Sequence, residues 1–181
     1  MKLIVWLWNP REKYKKTRHN VWFSMLSEWN DSFPFWIWKY ESKYKADCIF
    51  SELNWEKIIL CKPQTYMNLS WESVAPLANF YKISLNDILV IHDEIDFVTW
   101  RIALKLWWSP AWHNWLKSII EKLWSRDFWR LRIWIDRPIN KNQVTDWVLW
   151  KFTSSEIKIL EEKKEDIFSE INSFVWVKNF R

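Results

Sequence analysis

The sequence predicts an α/β protein, a three-layer single domain in which helices flank a mixed, largely parallel central sheet. Short apolar runs at Lys2–Trp8, Ile88–Ile91 and Leu131–Ile135 have the length and composition of buried strands. Segments with helical spacing lie between such runs, and strands that alternate with helices are typical of this class. The length of 181 residues fits one domain, spanning residues 1–181, with a sizeable core.

Local signals predict the remaining strands and helices. Strand-like stretches lie near Tyr44–Leu53, at Glu56–Cys61 and at Arg101–Leu106. Helical spacing or capping residues predict helices at about Asn20–Glu28, Ser70–Tyr81, Asn114–Leu123 and Thr153–Phe174. Ser70 is placed to act as an N-cap, and Thr153 with Glu156 has the spacing of a capping box.

The composition is unusual, because glycine is absent and tryptophan occurs 19 times, whereas average usage gives about 7% glycine. Asn54-Trp55 takes the place of an Asn-Gly hairpin turn, which needs a positive φ at both central residues. We infer that most of these tryptophans stand for glycine. A UGA codon that the source organism reads as glycine and a translation table reads as tryptophan produces this pattern. The alternative is a truly tryptophan-rich chain, with indoles as stacking platforms for bases or as a membrane-interface belt.

Charge and cysteine usage narrow the class of protein. The formal net charge is +5 and the pI is about 9.1, which favours a polyanionic partner, although an ordinary basic soluble protein has the same balance. Cys48 and Cys61 are too few for a disulfide framework or a zinc site, so we expect a reduced, cytoplasmic setting. The apolar run Leu3–Leu7 is too short for a signal peptide or for a bilayer span.

Polar residues follow several predicted strands, where sites form in α/β sheets. Asn9 follows the first strand, His92-Asp93-Glu94 follows the central strand, and Asn68 lies beyond the strand that ends near Cys61. His113-Asn114 opens a predicted helix, where backbone N–H groups bind anions. The segment Thr17–Asn20 ends a charged loop.

Histidine is the residue best suited to act as a general base near neutral pH. Any single one of His19, His92 and His113 is more often structural than catalytic, and His92 fits a hydrogen-bonded core position. His19 stands in a polar loop, and a carboxylate is needed to orient its ring. Asp93 is the first choice for that carboxylate and Asp96 is the second.

The sequence contains no motif for a serine nucleophile, a zinc site or a dinucleotide-binding site. There is no Gly-x-Ser-x-Gly or His-Glu-x-x-His motif, and the cysteines and histidines are too scattered for zinc. Glycine at positions 6 and 8 would give the start of a dinucleotide fingerprint, but Asn9-Pro10 interrupts it. What remains is an acid-base site in which a histidine activates water and asparagine side chains hold a substrate.

With glycine in place of tryptophan, the chain resembles bacterial peptidyl-tRNA hydrolase. The matching segments occur in the family's order and spacing: Leu3–Tyr14 (LIVWLWNPREKY), Thr17–Trp22 (TRHNVW), Lys62–Trp71 (KPQTYMNLSW), Val90–Asp96 (VIHDEID), Lys105–Leu116 (KLWWSPAWHNWL) and Arg130–Ile135 (RLRIWI). The resemblance implies hydrolysis of the ester that joins a peptide to the 3′ ribose of tRNA, by a monomer that needs no metal or cofactor. Because no apolar segment reaches spanning length, we expect no membrane partner.

The resemblance also implies roles for single residues. His19 would activate water, Asp93 would orient His19, and Asn9 would contact the peptide end and favour N-blocked substrates. The other implied substrate contacts are Tyr14, Tyr66, Asn68, His113 and Asn114. Lys105 and Arg132 match a basic pair that clamps the 5′-phosphate of the tRNA.

The chain departs from the family pattern mainly where the family has, or often has, glycine: Trp6, Trp22, Trp71, Trp100, Trp107, Trp108, Trp112, Trp115, Trp134 and Trp150. Trp147 is one of several less clear positions and fits an aromatic core residue. Arg11 also replaces a usual glycine, which a UGA codon does not explain. Two other functions stay open at this point: a non-catalytic RNA-binding relative on the same fold, and an esterase or amidase for small acyl substrates.

Overall fold

Seven strands organise the part of the chain that the structure describes. The structure is a computed structural model, which describes residues 1–14, 17–20, 27–33, 36–53, 55–66, 69–95, 102–106, 127–136, 138, 140 and 143–176. The strands are β1 (Lys2–Trp6), β2 (Lys39–Glu41), β3 (Ala46–Leu53), β4 (Glu56–Pro63), β5 (Ile88–Glu94), β6 (Ile102–Leu106) and β7 (Trp129–Trp134). The longer helices are α1 (Trp71–Phe80), α2 (Val144–Leu149), α3 (Ser154–Glu162) and α4 (Lys164–Trp176).

The strands form a mixed sheet in the order β2-β3-β4-β1-β5-β7-β6. The four central strands, β4, β1, β5 and β7, run parallel, whereas β3 and β6 are antiparallel to their neighbours. In this register Val5 of β1 lies between Cys61 of β4 and Val90 of β5. The carboxyl ends of the central strands therefore meet at one edge of the sheet, as the fold class predicts.

Helices cover both faces of the sheet. Leu89 and Ile91 of β5 pack in one buried cluster with Ile167 of α4, and Val90 packs in a second cluster with Val74 of α1. Alternation along the strand sends neighbouring side chains to opposite faces, and each face is buried by its own helices. The prediction of a three-layer α/β arrangement is confirmed.

Several predicted boundaries are wrong by a few residues. The first strand ends at Trp6, and Tyr44 belongs to a short 3-10 helix whose following residue, Lys45, has a φ of 47°. Ser70 precedes α1, but its own backbone is helical and its side chain does not cap the helix. The last helix divides at Lys163 into α3 and α4, because residues 161–166 carry no apolar side chain to hold a continuous helix against the core.

Two local predictions are confirmed. Trp55, one of the two central turn residues, has a φ of 68° at the connection between β3 and β4, the backbone conformation that favours glycine; the other, Asn54, lies outside the described residues. Thr153 and Glu156 form the predicted capping box at the start of α3. The predicted helix at Asn114–Leu123 and most of the one at Asn20–Glu28 lie outside the described residues, although residues 27–31 are helical.

Candidate functional site

The site begins with a buried pair, His19 and Asp93. Asp93 lies near the carboxyl end of β5, and His19 lies in a 3-10 turn, Arg18–Asn20. His19 Nδ1 is 2.7 Å from Asp93 Oδ2, and both residues are almost fully buried. A carboxylate at Nδ1 accepts the hydrogen of that nitrogen and leaves Nε2 as the basic atom of the neutral ring. The structure thus joins the predicted base to the first choice among the predicted carboxylates.

Asn20 connects this turn to the end of β1. The Asn9 N–H donates to Asn20 Oδ1 at 2.9 Å, and Asn20 Nδ2 donates to the Asn9 carbonyl oxygen at 2.8 Å. The two bonds use only the backbone of Asn9, so its half-buried side-chain amide takes no part in them. Asn9, His19 and Asp93 therefore share one edge of the sheet.

Arg18 holds the other side of the turn. Its guanidinium makes a bidentate ion pair with Glu156 of α3, with Nη2 to Oε1 at 2.7 Å and Nη1 to Oε2 at 3.2 Å. The guanidinium also lies over the rings of Trp147 and Phe152, at 4.3 and 4.7 Å from the ring centroids. Burial lowers the pKa of Arg18, and the negative charge of Glu156 opposes this effect.

Two tyrosines predicted to contact tRNA are also described. Tyr66 is 46% exposed, and its hydroxyl accepts a hydrogen bond from the Arg11 guanidinium, which also lies over the Tyr66 ring. Tyr14 ends a 3-10 turn, and its carbonyl accepts from Thr17 Oγ1 at 2.7 Å. Arg11, which the sequence leaves without an explanation, therefore pairs with one of the predicted tRNA contacts.

The two residues of the predicted phosphate clamp differ in exposure. Arg132 is 2% exposed, and its Nη2 lies 2.8 Å from Oε2 of Glu94, which is buried as well. Lys105 is exposed on β6 and pairs in register with Arg130, two residues from Arg132. This placement favours Lys105 as a phosphate contact and does not support direct contact by Arg132.

His92 differs from His19 in its surroundings. Its Nδ1 lies 2.7 Å from the carbonyl oxygen of Asp93, and the residue is buried within β5. This agrees with the structural interpretation of His92. Asn68, Asp96, His113 and Asn114 lie outside the described residues.

No group of three or more histidine, cysteine or acidic side chains in the described ranges is arranged to hold a metal ion. Cys48 and Cys61 are free and buried, directly opposite each other on β3 and β4, and burial raises the pKa of Cys61. None of the described helices is long and apolar enough to cross a membrane.

Comparison with known proteins gives the family. The family model described as peptidyl-tRNA hydrolase matches residues 3–179. The chain belongs to the peptidyl-tRNA hydrolase family. The peptidyl-tRNA hydrolase of Oceanobacillus iheyensis is 38% identical over 181 residues, covering 99% of this chain and 95% of the relative. That of Bacillus cereus strain Q1 is 44% identical over 161 residues, covering 87% of this chain and 83% of the relative.

Solved structures of the family have the same fold. The crystal structure of peptidyl-tRNA hydrolase from Acinetobacter baumannii superposes with a TM-score of 0.89 at 32% identity. The match covers 97% of this chain and 88% of that one. The fold of this chain is thus the fold of the family.

Sequence reasoning does not identify the connections that hold the site. The sequence shows Asn20 and Arg18 only as polar neighbours of His19, and Glu94 only as a neighbour of Asp93. Glu156 is recognisable as a capping residue, but its contact with Arg18 spans 138 positions. No local pattern predicts a contact at that separation.

Proposed function

We propose that this chain hydrolyses peptidyl-tRNA, with His19 as the general base, and releases free tRNA for reuse in translation. The bond broken is the ester between the peptide and the 3′ ribose of the tRNA. The observation that carries the proposal is the 2.7 Å contact between His19 Nδ1 and Asp93 Oδ2 in a chain of the peptidyl-tRNA hydrolase family. A buried histidine whose ring is fixed by a carboxylate has the form of a general base.

The reaction needs one proton carrier. His19 Nε2 takes a proton from water while the water oxygen attacks the ester carbonyl carbon, and Asp93 stabilises the resulting imidazolium. When the bond between that carbon and the ribose 3′ oxygen breaks, the imidazolium returns the proton to the 3′ oxygen. The products are a peptide carboxylic acid and a tRNA with a free 3′ hydroxyl. Because the substrate is an ester, one base and well-placed amides suffice.

The remaining site residues are assigned to substrate binding. Asn9 contacts the peptide end, and its position beside the His19 turn supports this assignment. The other proposed contacts are Tyr14, Tyr66, Asn68, His113 and Asn114. Lys105 contacts the 5′-phosphate, whereas Arg132 forms a buried ion pair with Glu94. We propose that the enzyme works as a cytoplasmic monomer, as a single domain and without a metal.

Removal of the base tests the chemistry. We expect His19→Ala to abolish hydrolysis of N-acetyl-aminoacyl-tRNA and to leave tRNA binding nearly unchanged, because the base contributes to the reaction and not to phosphate contacts. His92→Asn is the matched control, since asparagine keeps a donor for the Asp93 carbonyl. Turnover by the His19 variant would overturn the assigned role. A wild-type protein that binds tRNA without hydrolysis would favour the non-catalytic relative, and hydrolysis of simple acyl esters without salt-sensitive tRNA binding would favour the small-substrate esterase.

We propose in addition that most of the tryptophans are glycine in the native protein. Trp55 has a φ of 68° and is 93% exposed, a combination that glycine explains without strain. Trp6 is buried in β1, and its indole N–H finds no acceptor within the described part of the chain, which is costly for a buried donor. Trp147 differs, because its indole N–H donates to the Asp136 carbonyl at 3.0 Å. We therefore retain Trp147 as a true tryptophan.

Peptide mass spectrometry on the protein from its native source tests the recoding. The peptide Leu104–Lys117 covers positions 107, 108, 112 and 115, and we expect glycine masses at each. Tryptophan masses there would overturn the recoding. They would also favour the non-catalytic binder, because the family resemblance puts glycine at these positions and four indoles there would be a large increase in side-chain volume.

A further inference from the structure

We propose that Arg18 and Glu156 are positioning residues for His19, so that the start of helix α3 sets the place of the general base. This inference rests on the proposed function for its kinetic meaning, but its structural basis is independent. Arg18 is adjacent to His19 in the chain and is only 3% exposed. A residue beside the base that is fixed on several sides restricts where the base can lie.

The turn is attached to the C-terminal part of the chain through both backbone and side chain. The Arg18 N–H donates to the Trp150 carbonyl at 2.9 Å, and Thr17 forms an isolated antiparallel bridge with Lys151. The guanidinium adds a bond from Nη1 to the Lys151 carbonyl at 3.3 Å. These contacts all reach the short connection between α2 and α3.

The Glu156 carboxylate sets the orientation of the Arg18 guanidinium. One of its oxygens, Oε2, accepts from the Thr153 N–H at 2.7 Å and from Arg18 Nη2 at 3.0 Å, and Oε1 accepts from Arg18 Nη2 at 2.7 Å. The capping box therefore orients the same carboxylate that Arg18 contacts. A bidentate guanidinium-carboxylate pair defines both distance and orientation. The Trp147 and Phe152 rings on the guanidinium restrict it further.

The opposite side of the turn has its own attachment, the reciprocal pair of Asn20 and Asn9. His19 thus lies between two fixed neighbours while Asp93 holds its ring. Loss of one neighbour would let the base move relative to the substrate without removing any group that binds tRNA. The expected result is a loss in kcat with little change in KM.

The test uses substitutions that separate the ion pair from the helix cap. Glu156→Gln keeps a capping side chain but loses the charged, bidentate contact, and Arg18→Lys keeps the charge but loses the planar fork. We expect each variant to lower kcat about tenfold or more, with KM within about twofold, because small displacements of a catalytic group are costly. The double variant should lose no more than the more severe single variant, since both substitutions break one unit.

Thr153→Ala is the matched control. It removes the Oγ1 that accepts from the Glu156 N–H and donates to Glu156 Oε2, but it keeps the bond from the Thr153 N–H to that carboxylate and every contact between Arg18 and Glu156. Its kcat should stay within about twofold of the unsubstituted protein even though helix α3 is less stable. A kcat loss equal to that of Glu156→Gln would show that helix stability alone matters and would overturn the proposal. If the kcat losses of the two single variants multiply in the double variant, the two residues act independently, and the proposal is overturned as well.

A second readout does not depend on activity. We expect the Nδ1–H that His19 donates to Asp93 to give a low-field proton resonance. The resonance is assigned to His19 if it is missing from the spectrum of His19→Ala. We expect Glu156→Gln to shift or broaden this resonance and Thr153→Ala to leave it unchanged. An unchanged resonance together with an unchanged kcat overturns the positioning role. Absence of hydrolysis by the unsubstituted protein would instead overturn the proposed function, and the resonance would still decide the positioning role.

Discussion

At the scale of single residues, different groups contact the proposed general base His19 and the residues beside it. Asp93 contacts the ring nitrogen, Asn20 contacts the backbone at Asn9, and Arg18 contacts the carboxylate of Glu156. Only the first of these contacts involves the imidazole itself. In the proposed mechanism, Asp93 therefore controls the protonation of the imidazole, and the residues on either side of His19 control where the imidazole lies.

Asp93→Asn tests the electronic part of this division. Asparagine keeps the size of the side chain, but its amide does not stabilise the imidazolium, and its NH₂ group favours the wrong tautomer of His19. We expect kcat for N-acetyl-aminoacyl-tRNA to fall roughly 10³-fold or more, as in other carboxylate-oriented histidines, while tRNA affinity is retained. Steady-state kinetics and a binding titration measure the two effects.

The control for this substitution is Asp47→Asn. Asp47 is a half-buried carboxylate that accepts a hydrogen bond from Gln64 at 2.6 Å, away from His19. Its change to asparagine should leave kcat nearly unaltered. If Asp93→Asn keeps most of the activity, or if both variants lose it equally, then Asp93 does not act through the charge on His19.

At the scale of elements, the predictable features are those with a local physical cause. The buried strand β5 follows from a continuous apolar run, and the cap of α3 follows from Thr153 and Glu156 three positions apart. The positive φ of Trp55 follows from the requirements of a hairpin turn. The break at Lys163 is not predicted, because the charged run has the pattern of a solvated face of one helix. The contact between Arg18 and Glu156 has no local signal at all.

Strand β4 carries a lysine in an unusual place, and this gives a stability prediction. Lys62 is 6% exposed, with its ammonium 3.7 Å from the Trp38 ring centroid. Burial lowers the pKa of Lys62 from 10.5 to about 8, against the opposing effect of Asp47. Between these values the unfolded chain binds a proton that the folded chain does not, so the free energy of unfolding rises with pH.

Comparison with Lys62→Met isolates this effect, because methionine has no proton to lose. The quantity to follow is the unfolding free energy of the unsubstituted protein minus that of the Lys62→Met variant. We expect this difference to rise by about 1–2 kcal/mol between pH 8 and pH 10, as measured by urea denaturation. The matched control is Lys57→Met, which changes an exposed lysine of the same strand and should give a difference that is flat with pH. A flat difference for Lys62 would mean that its ammonium is not desolvated.

At the scale of the whole molecule, the proposed phosphate contact Lys105 and the proposed active-site residue Asp93 lie on different strands of the sheet. Lys105 is in register with Arg130, which is in register with Val90 of β5. Lys105 therefore lies two strands across and three residues along from Asp93, roughly 14 Å away with ordinary strand spacing and rise. A formal charge of +5 adds a long-range attraction for tRNA, which is sensitive to salt.

Lys105→Gln tests this part of the proposal. Each phosphate contact contributes to the slope of log affinity against log salt, so loss of one contact should make the slope shallower by about 0.7–0.9 and weaken binding of all tRNAs alike. Titrations of deacylated tRNA at several salt concentrations measure the slope. Lys57→Gln removes the same charge from the amino-terminal end of β4, and it should leave the slope unaltered if the contact is local. Equal changes in the two variants would show that only net charge matters.

Arg132 is unsuitable for this test, since its removal takes away the guanidinium that pairs with the buried Glu94 carboxylate, and loss of one member of a buried ion pair destabilises the fold.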